Sequence, residues 1–219
     1  VTSAANMLSN SDDVFLRNTG DGHFVDVTAG SGLELNVGVK AATTMGMTFG
    51  DVNYDGALDV FRTEHGSQIL ALNNGWPNGS PWVQVQSDFG VETPFIFSQL
   101  VPTITGPTVG WGTKFLDADH DLWLDLFEVN GHVTGGEPRF QRNFMHYGQG
   151  PSKQFHFEDA TQQVGLLDQI DDRGLCVGDA DGDGDLDLIV LPAAGLLRYF
   201  QNSASTNGAG WLKVYAETH

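Results

Sequence analysis

The sequence has few basic residues, and this scarcity excludes two large classes of partner. Lysine and arginine total 10 of the 219 residues against 28 aspartates and glutamates, which gives a formal net charge of −18. Nucleic acids and anionic membranes bind basic surfaces, so neither is expected as a partner. An acidic chain of this kind favours cations instead.

Cysteine and long apolar runs are scarce as well. The single cysteine, Cys176, stands in the run GLCVG, so a disulfide within the chain is impossible and a buried thiol is predicted. No apolar run approaches the roughly 18 residues that a membrane-spanning helix needs, so direct membrane insertion is not expected. No long helical period is visible either, whereas short β-rich runs bounded by Gly, Asn and Asp recur throughout.

What the chain does contain is a repeat marked by three acidic loops. They read DVNYDGALD from Asp51, DADHDLWLD from Asp117 and DADGDGDLD from Asp179. Each follows a glycine-containing apolar strand (GMTFG, GWGTKFL, GLCVG) and precedes a second strand (LDVFRTE, LDLFEVN, LDLIVLP). Recurrence at about 60 residues indicates one supersecondary unit used several times.

Two further strands complete each unit. The third strands are ILALNN, NFMHYG and LLRYFQN, and the fourth are WVQVQSD, QFHFEDA and WLKVYAE. Four strands per repeat favour an all-β fold, a β-propeller of four-stranded antiparallel blades, over a sandwich. The strand before each acidic loop is expected to be innermost, because its glycines suit a crowded axis. The predicted units are a half blade over residues 1–40 and blades over 41–106, 107–171 and 172–219.

The N-terminal unit matches only the second half of this template. DVFLRN and HFVDVT form a predicted hairpin around Thr-Gly-Asp-Gly, with no acidic loop ahead of it. Since a propeller closes with whole blades, half a blade plus three predicts that these residues belong to a larger ring.

The acidic loops have the donor pattern of calcium sites. Calcium takes six to eight hard oxygen ligands from carboxylates, amides, carbonyls and water. Oxygen donors stand at loop positions one, three, five, seven (through its carbonyl) and nine. They are Asp51, Asn53, Asp55, Ala57 and Asp59; Asp117, Asp119, Asp121, Trp123 and Asp125; and Asp179, Asp181, Asp183, Asp185 and Asp187. The twelfth position of the first loop is Arg62 and a strand follows, so the loop is not an EF-hand.

The second loop differs at position six. Gly56 and Gly184 permit a sharp turn in the first and third loops, whereas Leu122 takes this place in the second. A leucine forced to positive φ costs about 1 kcal/mol, so a weaker or differently shaped site is predicted there. The alternative for any one loop is a solvated acidic turn. Three loops in register favour Ca²⁺, because neighbouring carboxylates without a cation repel one another.

These segments resemble a known family. GMTFGDVNYDGALDVF, GWGTKFLDADHDLWLDLF and GLCVGDADGDGDLDLIV resemble FG-GAP (VCBS-type) repeats, the calcium-binding blades of integrin α-like propellers. The order of pieces from WLDLFEVNGHV through DRGLCVGDADGDGDLDLIVL to WLKV is similar to that of the cartilage acidic protein and ASPIC/UnbV group. The resemblance covers residues 13–214. It implies a ring of about seven blades, an extracellular, secreted, cell-surface or periplasmic location, and a role in adhesion or matrix. The sequence departs from that family at Leu122 and in the eroded turn GQGPSKQF.

Two classes of function remain open. The first is a non-catalytic, calcium-stabilised propeller that presents loops to a protein or glycan partner, or to other blades of a larger assembly. The second is a calcium-propeller enzyme acting on polysaccharide, a lyase or hydrolase. The chain has no GxSxG, HExxH or CxxC motif, so no catalytic residue is assigned and the binding module is favoured. His132, in NGHV, is interpreted as a turn histidine, although an enzyme would be expected to depend on a residue such as His132 or Arg142. Arg139, Arg142 and Lys153 are the basic residues that would have to cluster to bind an acidic polysaccharide. The tryptophans are interpreted as packing residues and not as sugar platforms.

Overall fold

The structure, a computed structural model, describes residues 14–33, 44–79, 81–92, 96–97, 105–106, 108–133, 141–168 and 170–204. In these ranges the chain is all-β with almost no helix, and a 3-10 turn spans Pro151–Lys153. The strands are β1 (Leu16–Asn18), β2 (Phe24–Asp26), β3 (Gly46–Gly50), β4 (Asp59–Thr63), β5 (Ile69–Leu72), β6 (Val83–Gln84), β7 (Ile96–Phe97), β8 (Thr105–Gly106), β9 (Gly110–Leu116), β10 (Asp125–Asn130), β11 (Phe144–Gly148), β12 (Phe157–Asp159), β13 (Asp172–Gly178), β14 (Asp187–Pro192) and β15 (Arg198–Phe200).

The strands pair with their neighbours in the sequence. The first sheet has the order β3-β4-β5-β6, the second β9-β10-β11-β12 and the third β13-β14-β15, all antiparallel and none closed. In each sheet the acidic loop closes the hairpin between the first two strands. The pairs that flank it are Gly50↔Asp59, Leu116↔Asp125 and Gly178↔Asp187. Three hairpins thus carry the acidic loops, with four strands in two of the three sheets.

Two small hairpins accompany these sheets. β1 and β2 form the predicted N-terminal hairpin, and its turn uses Gly20 and Gly22 at φ of 92° and 88°, a region that favours glycine. β7 and β8 form a second hairpin within the predicted 41–106 unit, at a place where the sequence pattern indicated no strand. The fourth strand predicted for the third sheet, WLKVYAE at 211–217, lies outside the described residues.

The strands that precede the acidic loops lie side by side. β9 contacts both β3 and β13, and each of the three is an edge strand of its own sheet. Their glycines allow this approach: a Cβ on Gly112 would lie 2.9 Å from the Leu175 Cβ and 2.9 Å from its backbone nitrogen. The Thr63 hydroxyl also donates across the first two sheets to the carbonyl of Trp111, at 2.6 Å. The acidic loops of neighbouring sheets are consequently brought close together.

Apolar side chains fill the spaces between the sheets. Phe61 and Leu70 of the first sheet are fully buried with Leu126 of the second. Phe127 of the second sheet is buried with Leu188 of the third. Residues of one strand thus alternate between two interfaces, since successive side chains of a strand point to opposite faces.

The prediction that Cys176 is buried is wrong. Its thiol is exposed on the outer face of the third sheet, where its direct partner is Ile189 and Tyr199 stands opposite Ile189. Leu191 and Tyr199 on this face are 51% and 46% exposed. The run GLCVG is apolar because its other face packs on the second sheet, a distinction that composition does not reveal. Among the described residues, no helix is long and apolar enough to cross a membrane.

Candidate metal centres

The carboxylate at position one organises each acidic loop. In the first loop Asp51 accepts hydrogen bonds from the backbone N–H groups of Asp55 (3.0 Å) and Gly56 (2.9 Å). Asp117 accepts from Asp121 and Leu122, at 3.2 and 3.1 Å. In the third loop Asp179 likewise accepts from Gly182 and Gly184, at 2.7 and 3.3 Å. The chain thus bends around one carboxylate in all three loops.

The aspartate at position nine is the buried end of each loop. Asp59, Asp125 and Asp187 are all 0% exposed. One oxygen of each accepts from the backbone N–H of position two, at 2.8–3.0 Å. The other oxygen accepts from an N–H at the end of the third strand, at 2.9 Å in each case, and the donors are Asn73, Gly148 and Asn202. These bonds tie the loop to the third strand of its own sheet.

Two loops bring three carboxylates together. Asp117, Asp119 and Asp125 each place one oxygen within 4.8 Å of the others, and Asp179, Asp181 and Asp187 do the same. Each trio consists of positions one, three and nine. Two of the three predicted sites therefore contain a group of carboxylates close enough to hold a metal ion, and one of them is the loop that carries Leu122.

The first loop does not form such a trio, since its third position is the amide of Asn53. The amide donates to Asp55 at 3.0 Å, while its oxygen accepts from the Asp55 N–H at 3.2 Å. Asp55 itself accepts from Ala57 N–H at 2.8 Å. Position five has this same role in the other loops, where Asp121 accepts from Trp123 and Asp183 from Asp185, both at 2.9 Å. The carboxylate at position five therefore accepts from the N–H of position seven in every loop, and it belongs to neither carboxylate trio.

At Asp187 burial is outweighed by the hydrogen bonds from Asn202, Ala180 and Tyr199, which lower its pKa. Asp59, Asp119 and Asp125, by contrast, are poor anions without a cation because of burial. It raises the pKa of Asp125 to about 8, against the opposing hydrogen bonds from Ala118 and Gly148. It raises the pKa of Asp59 to about 6 for the same reason. For Asp119, burial and then the charge of Asp121 raise the pKa. A positive ion within these loops would favour the ionised forms.

The donor chemistry fits a hard cation. The two trios offer oxygen only, with no sulfur and no imidazole nitrogen among them. Oxygen-only ligand sets suit calcium, magnesium or manganese, whereas zinc and copper sites use nitrogen and sulfur. A bound ion of this class would neutralise the carboxylates and hold the turn.

Two contacts from the third sheet were not indicated by the sequence pattern. The Tyr199 phenol donates to Asp187 Oδ2 at 2.9 Å, and Asn202 Nδ2 donates to the Ala118 carbonyl of the second loop at 2.7 Å. Both come from the segment LLRYFQN, where only a strand was predicted. The polar pair Gln201-Asn202 at its end is the weak signal that the segment offers, and Gln201 Nε2 also donates to Asp181 Oδ2.

The residues considered for an enzyme have other contacts. Arg142 pairs with Asp159 at 2.7 Å, and its guanidinium lies 4.2 Å from the centre of the Phe144 ring. The backbone N–H of His132 donates to Asp171 at 2.9 Å, and its carbonyl accepts from Arg173. Arg139 lies outside the described residues.

The described tryptophans are packing residues, as the sequence predicts. Trp82 is buried, Trp76 lies 5.2 Å from Phe15, and Trp111 lies 4.1 Å below the guanidinium of Arg173. Trp123 packs between aromatic rings of the first and second units. Trp211 lies outside the described residues.

Comparison of the chain with family models and with curated proteins finds no match in either case.

Proposed function

We propose that this chain is part of a calcium-stabilised β-propeller of the FG-GAP type. In this proposal it acts outside the cell as a non-catalytic recognition or adhesion module for a protein or glycan partner. The three sheets are then successive blades of a larger ring, and the acidic loops are the calcium sites of these blades. The ion supplies charge neutralisation and order to the loops, and it takes no part in bond making or breaking.

The observation that supports this proposal is a pattern of hydrogen bonds and burial that the three loops share. In each, position one accepts two loop N–H groups and a fully buried aspartate at position nine accepts one. Solvated acidic turns have no need to bury a carboxylate, since burial disfavours the charged form. A hard cation that remains in the loop gives that burial a physical reason. In this proposal the oxygens of the loop complete the coordination of the ion, which then serves stability and not catalysis, because catalytic metals keep an open coordination position.

The metal part of the proposal is tested by calorimetric titration with CaCl₂ and by thermal unfolding with and without chelator. A ligand that binds only the native state stabilises it by about 2.7 kcal/mol per site at a hundredfold excess over Kd. We expect at least two equivalents of calcium to bind and the melting temperature to fall substantially in EDTA. An unchanged melting curve together with no heat of binding would show that the loops are only acidic turns.

The matched variants are Asp179→Asn and Asp88→Asn, which remove the same charge. Asp179 belongs to the carboxylate trio of the third loop, whereas Asp88 is exposed and lies outside the loops. Asp179→Asn should lose one equivalent of calcium, and Asp88→Asn should retain the full number. Equal loss from both variants would point to diffuse charge and not to a site.

The recognition part is tested with immobilised neutral and acidic polysaccharides and matrix proteins, in calcium and in chelator. Calcium-dependent binding without turnover supports the proposal. Turnover of a polysaccharide that disappears in His132→Ala or Arg142→Ala would overturn it in favour of an enzyme.

A further inference from the structure

The fourth residue of one acidic loop reaches into the next loop. Tyr54 holds this position in the first loop, and its phenol O–H donates to the carbonyl of Leu122 in the second. The ring of Tyr54 also packs edge-on against Trp123, with 4.8 Å between the ring centres. The first and second loops are therefore joined by a polar and an aromatic contact.

The same position makes the next connection. His120, fourth in the second loop, places Nε2 3.1 Å from Oδ1 of Asp185 in the third. The Asp185 side chain is fully buried, and His120 is 15% exposed. Tyr54 and His120 share a left-handed backbone, with φ of 58° and 60°. Gly182 holds this position in the third loop, and it has no side chain that could contact a further loop.

The contact from Tyr54 acts on a peptide unit that also holds a predicted ligand. The carbonyl of Leu122 accepts from Tyr54, while the N–H of the same unit, that of Trp123, donates to Asp121 Oδ1 at 2.9 Å. The N–H of Leu122 donates to Asp117 Oδ2 at 3.1 Å. Linked hydrogen bonds polarise one another, so fixing one end of this unit strengthens the other. Order in the first loop thus favours the ligand arrangement of the second.

We propose that Tyr54 and His120 are positioning residues that couple metal binding in neighbouring acidic loops, so that an ion in one loop raises the affinity of the next. The inference rests on the proposed calcium binding. A metal ion orders the loop that holds it, and a loop that is already ordered costs its neighbour less conformational entropy. Coupling of this kind is reciprocal, so an ion in the second loop favours the first equally. One hydrogen bond of typical net strength corresponds to a factor of about five in affinity.

Terbium(III) is the probe, because Trp123 within the second loop can sensitise its luminescence and report occupancy there. The variant Asp51→Asn weakens the first loop without touching the second. Its effect on the second-loop terbium affinity is measured twice, in the wild-type background and in the background of Tyr54→Phe. The phenylalanine keeps the ring against Trp123 and removes only the hydroxyl. The four proteins form a double-mutant cycle.

The expected result is a fall of about fivefold in second-loop affinity on Asp51→Asn in the wild type, and little change in the background of Tyr54→Phe. Tyr54→Phe alone should give a similar fall. Equal effects of Asp51→Asn in both backgrounds, or none in either, would overturn the coupling while leaving metal binding intact.

Absence of terbium luminescence together with absence of calcium heat in the wild type would overturn the proposed function, and the coupling with it. The second contact has its own measurement, in case Tyr54→Phe disturbs folding. His120→Gln should lower the affinity of the third loop, seen as a weakened calorimetric step, and retain the affinity of the first. An unchanged third-loop step would overturn the contribution of His120.

Discussion

At the scale of single residues, the sixth position of the acidic loops decides how the turn is made. The sequence predicts that Leu122 is forced to positive φ, and this is confirmed by its φ of 74°, beside 89° for Gly56. Leu122 is 76% exposed, so its side chain gains little from packing. The loop tolerates the leucine because its N–H is held by Asp117 and its carbonyl by Tyr54.

Leu122→Gly is therefore expected to raise the free energy of unfolding. Relief of the left-handed strain contributes about 1–2 kcal/mol, and the greater freedom of glycine in the unfolded chain removes about 0.5–1 kcal/mol of it. The converse control is Gly56→Ala, where a Cβ would meet no atom within 4 Å, so that only the backbone conformation opposes it. That change should destabilise by about 1 kcal/mol. Urea unfolding in saturating calcium measures both. A destabilised Leu122→Gly would mean that the leucine side chain packs usefully.

At the scale of the strands, a polar group lies buried between the first and second sheets. Glu128 and Asn130 of β10 are fully buried, and His146 of β11 is 4% exposed. Asn130 donates to Glu128 Oε1 at 3.3 Å, while Glu128 Oε2 and both ring nitrogens of His146 have no hydrogen-bond partner in the part of the chain that the structure describes. No sequence pattern indicated this group, because alternation on a strand predicts which residues share a face but not which faces are covered.

Burial has opposite effects on the two titratable members of this group. It raises the pKa of Glu128 to about 8 and lowers that of His146 to about 4. An acid whose pKa is raised in the folded protein contributes stability at low pH, and this contribution is lost as the pH rises through the folded-state pKa. A histidine whose pKa is lowered in the folded protein contributes stability at high pH, and this contribution is lost as the pH falls below the ordinary pKa of histidine. Between pH 4.5 and 6.5 the two effects oppose each other, and above pH 6.5 only that of Glu128 remains.

We expect the free energy of unfolding to fall by about 2 kcal/mol between pH 6.5 and pH 8 through Glu128. Glu128→Gln keeps the shape of the protonated acid and should remove this part of the fall. Glu158→Gln, an exposed position paired with Lys153, is the control and should leave the pH profile unchanged. The difference between variant and wild type isolates Glu128, because other groups titrate alike in both. Parallel profiles for wild type and Glu128→Gln would show that Glu128 is ionised in the folded protein.

At the scale of the whole molecule, the sheets stack in one direction and leave an open end. Phe61 and Phe127 occupy equivalent positions in the first and second sheets, and each is buried by the sheet that follows. Ile189 holds this position in the third sheet, beside exposed Tyr199 and Leu191. Among the described residues nothing covers this face.

The single thiol reports whether the face is open in solution. Cys176 lies opposite Ile189 and is exposed, so we expect the isolated 219-residue chain, folded in calcium, to react with iodoacetamide at a rate comparable with that of the denatured chain. Cys176→Ser, which has no other thiol, is the blank. A native thiol protected until unfolding would show that another sheet or a second copy covers the face.

Much of the architecture and of the candidate metal centres follows from the sequence. The spacing of the acidic loops, the strands on either side and the role of position one are local properties, because a loop of nine residues contains the N–H groups that its first carboxylate accepts. Position nine depends in part on the third strand, whose N–H groups bind one of its oxygens. For this reason the hairpins at Asp51, Asp117 and Asp179 could be predicted without knowledge of the rest of the chain. The propeller, the calcium and the extracellular role remain predictions.

The tertiary structure decided everything that depends on which residues meet across sheets. The exposure of Cys176, the burial of Glu128 with His146, and the reach of Tyr54 to Leu122 join segments far apart in sequence. A strand pattern of period two states that two faces differ, but the partner on each face is set by packing of whole sheets. Local chemistry therefore determined where the candidate metal sites lie, and only the stacking of the sheets decided how the second loop is linked to its neighbours.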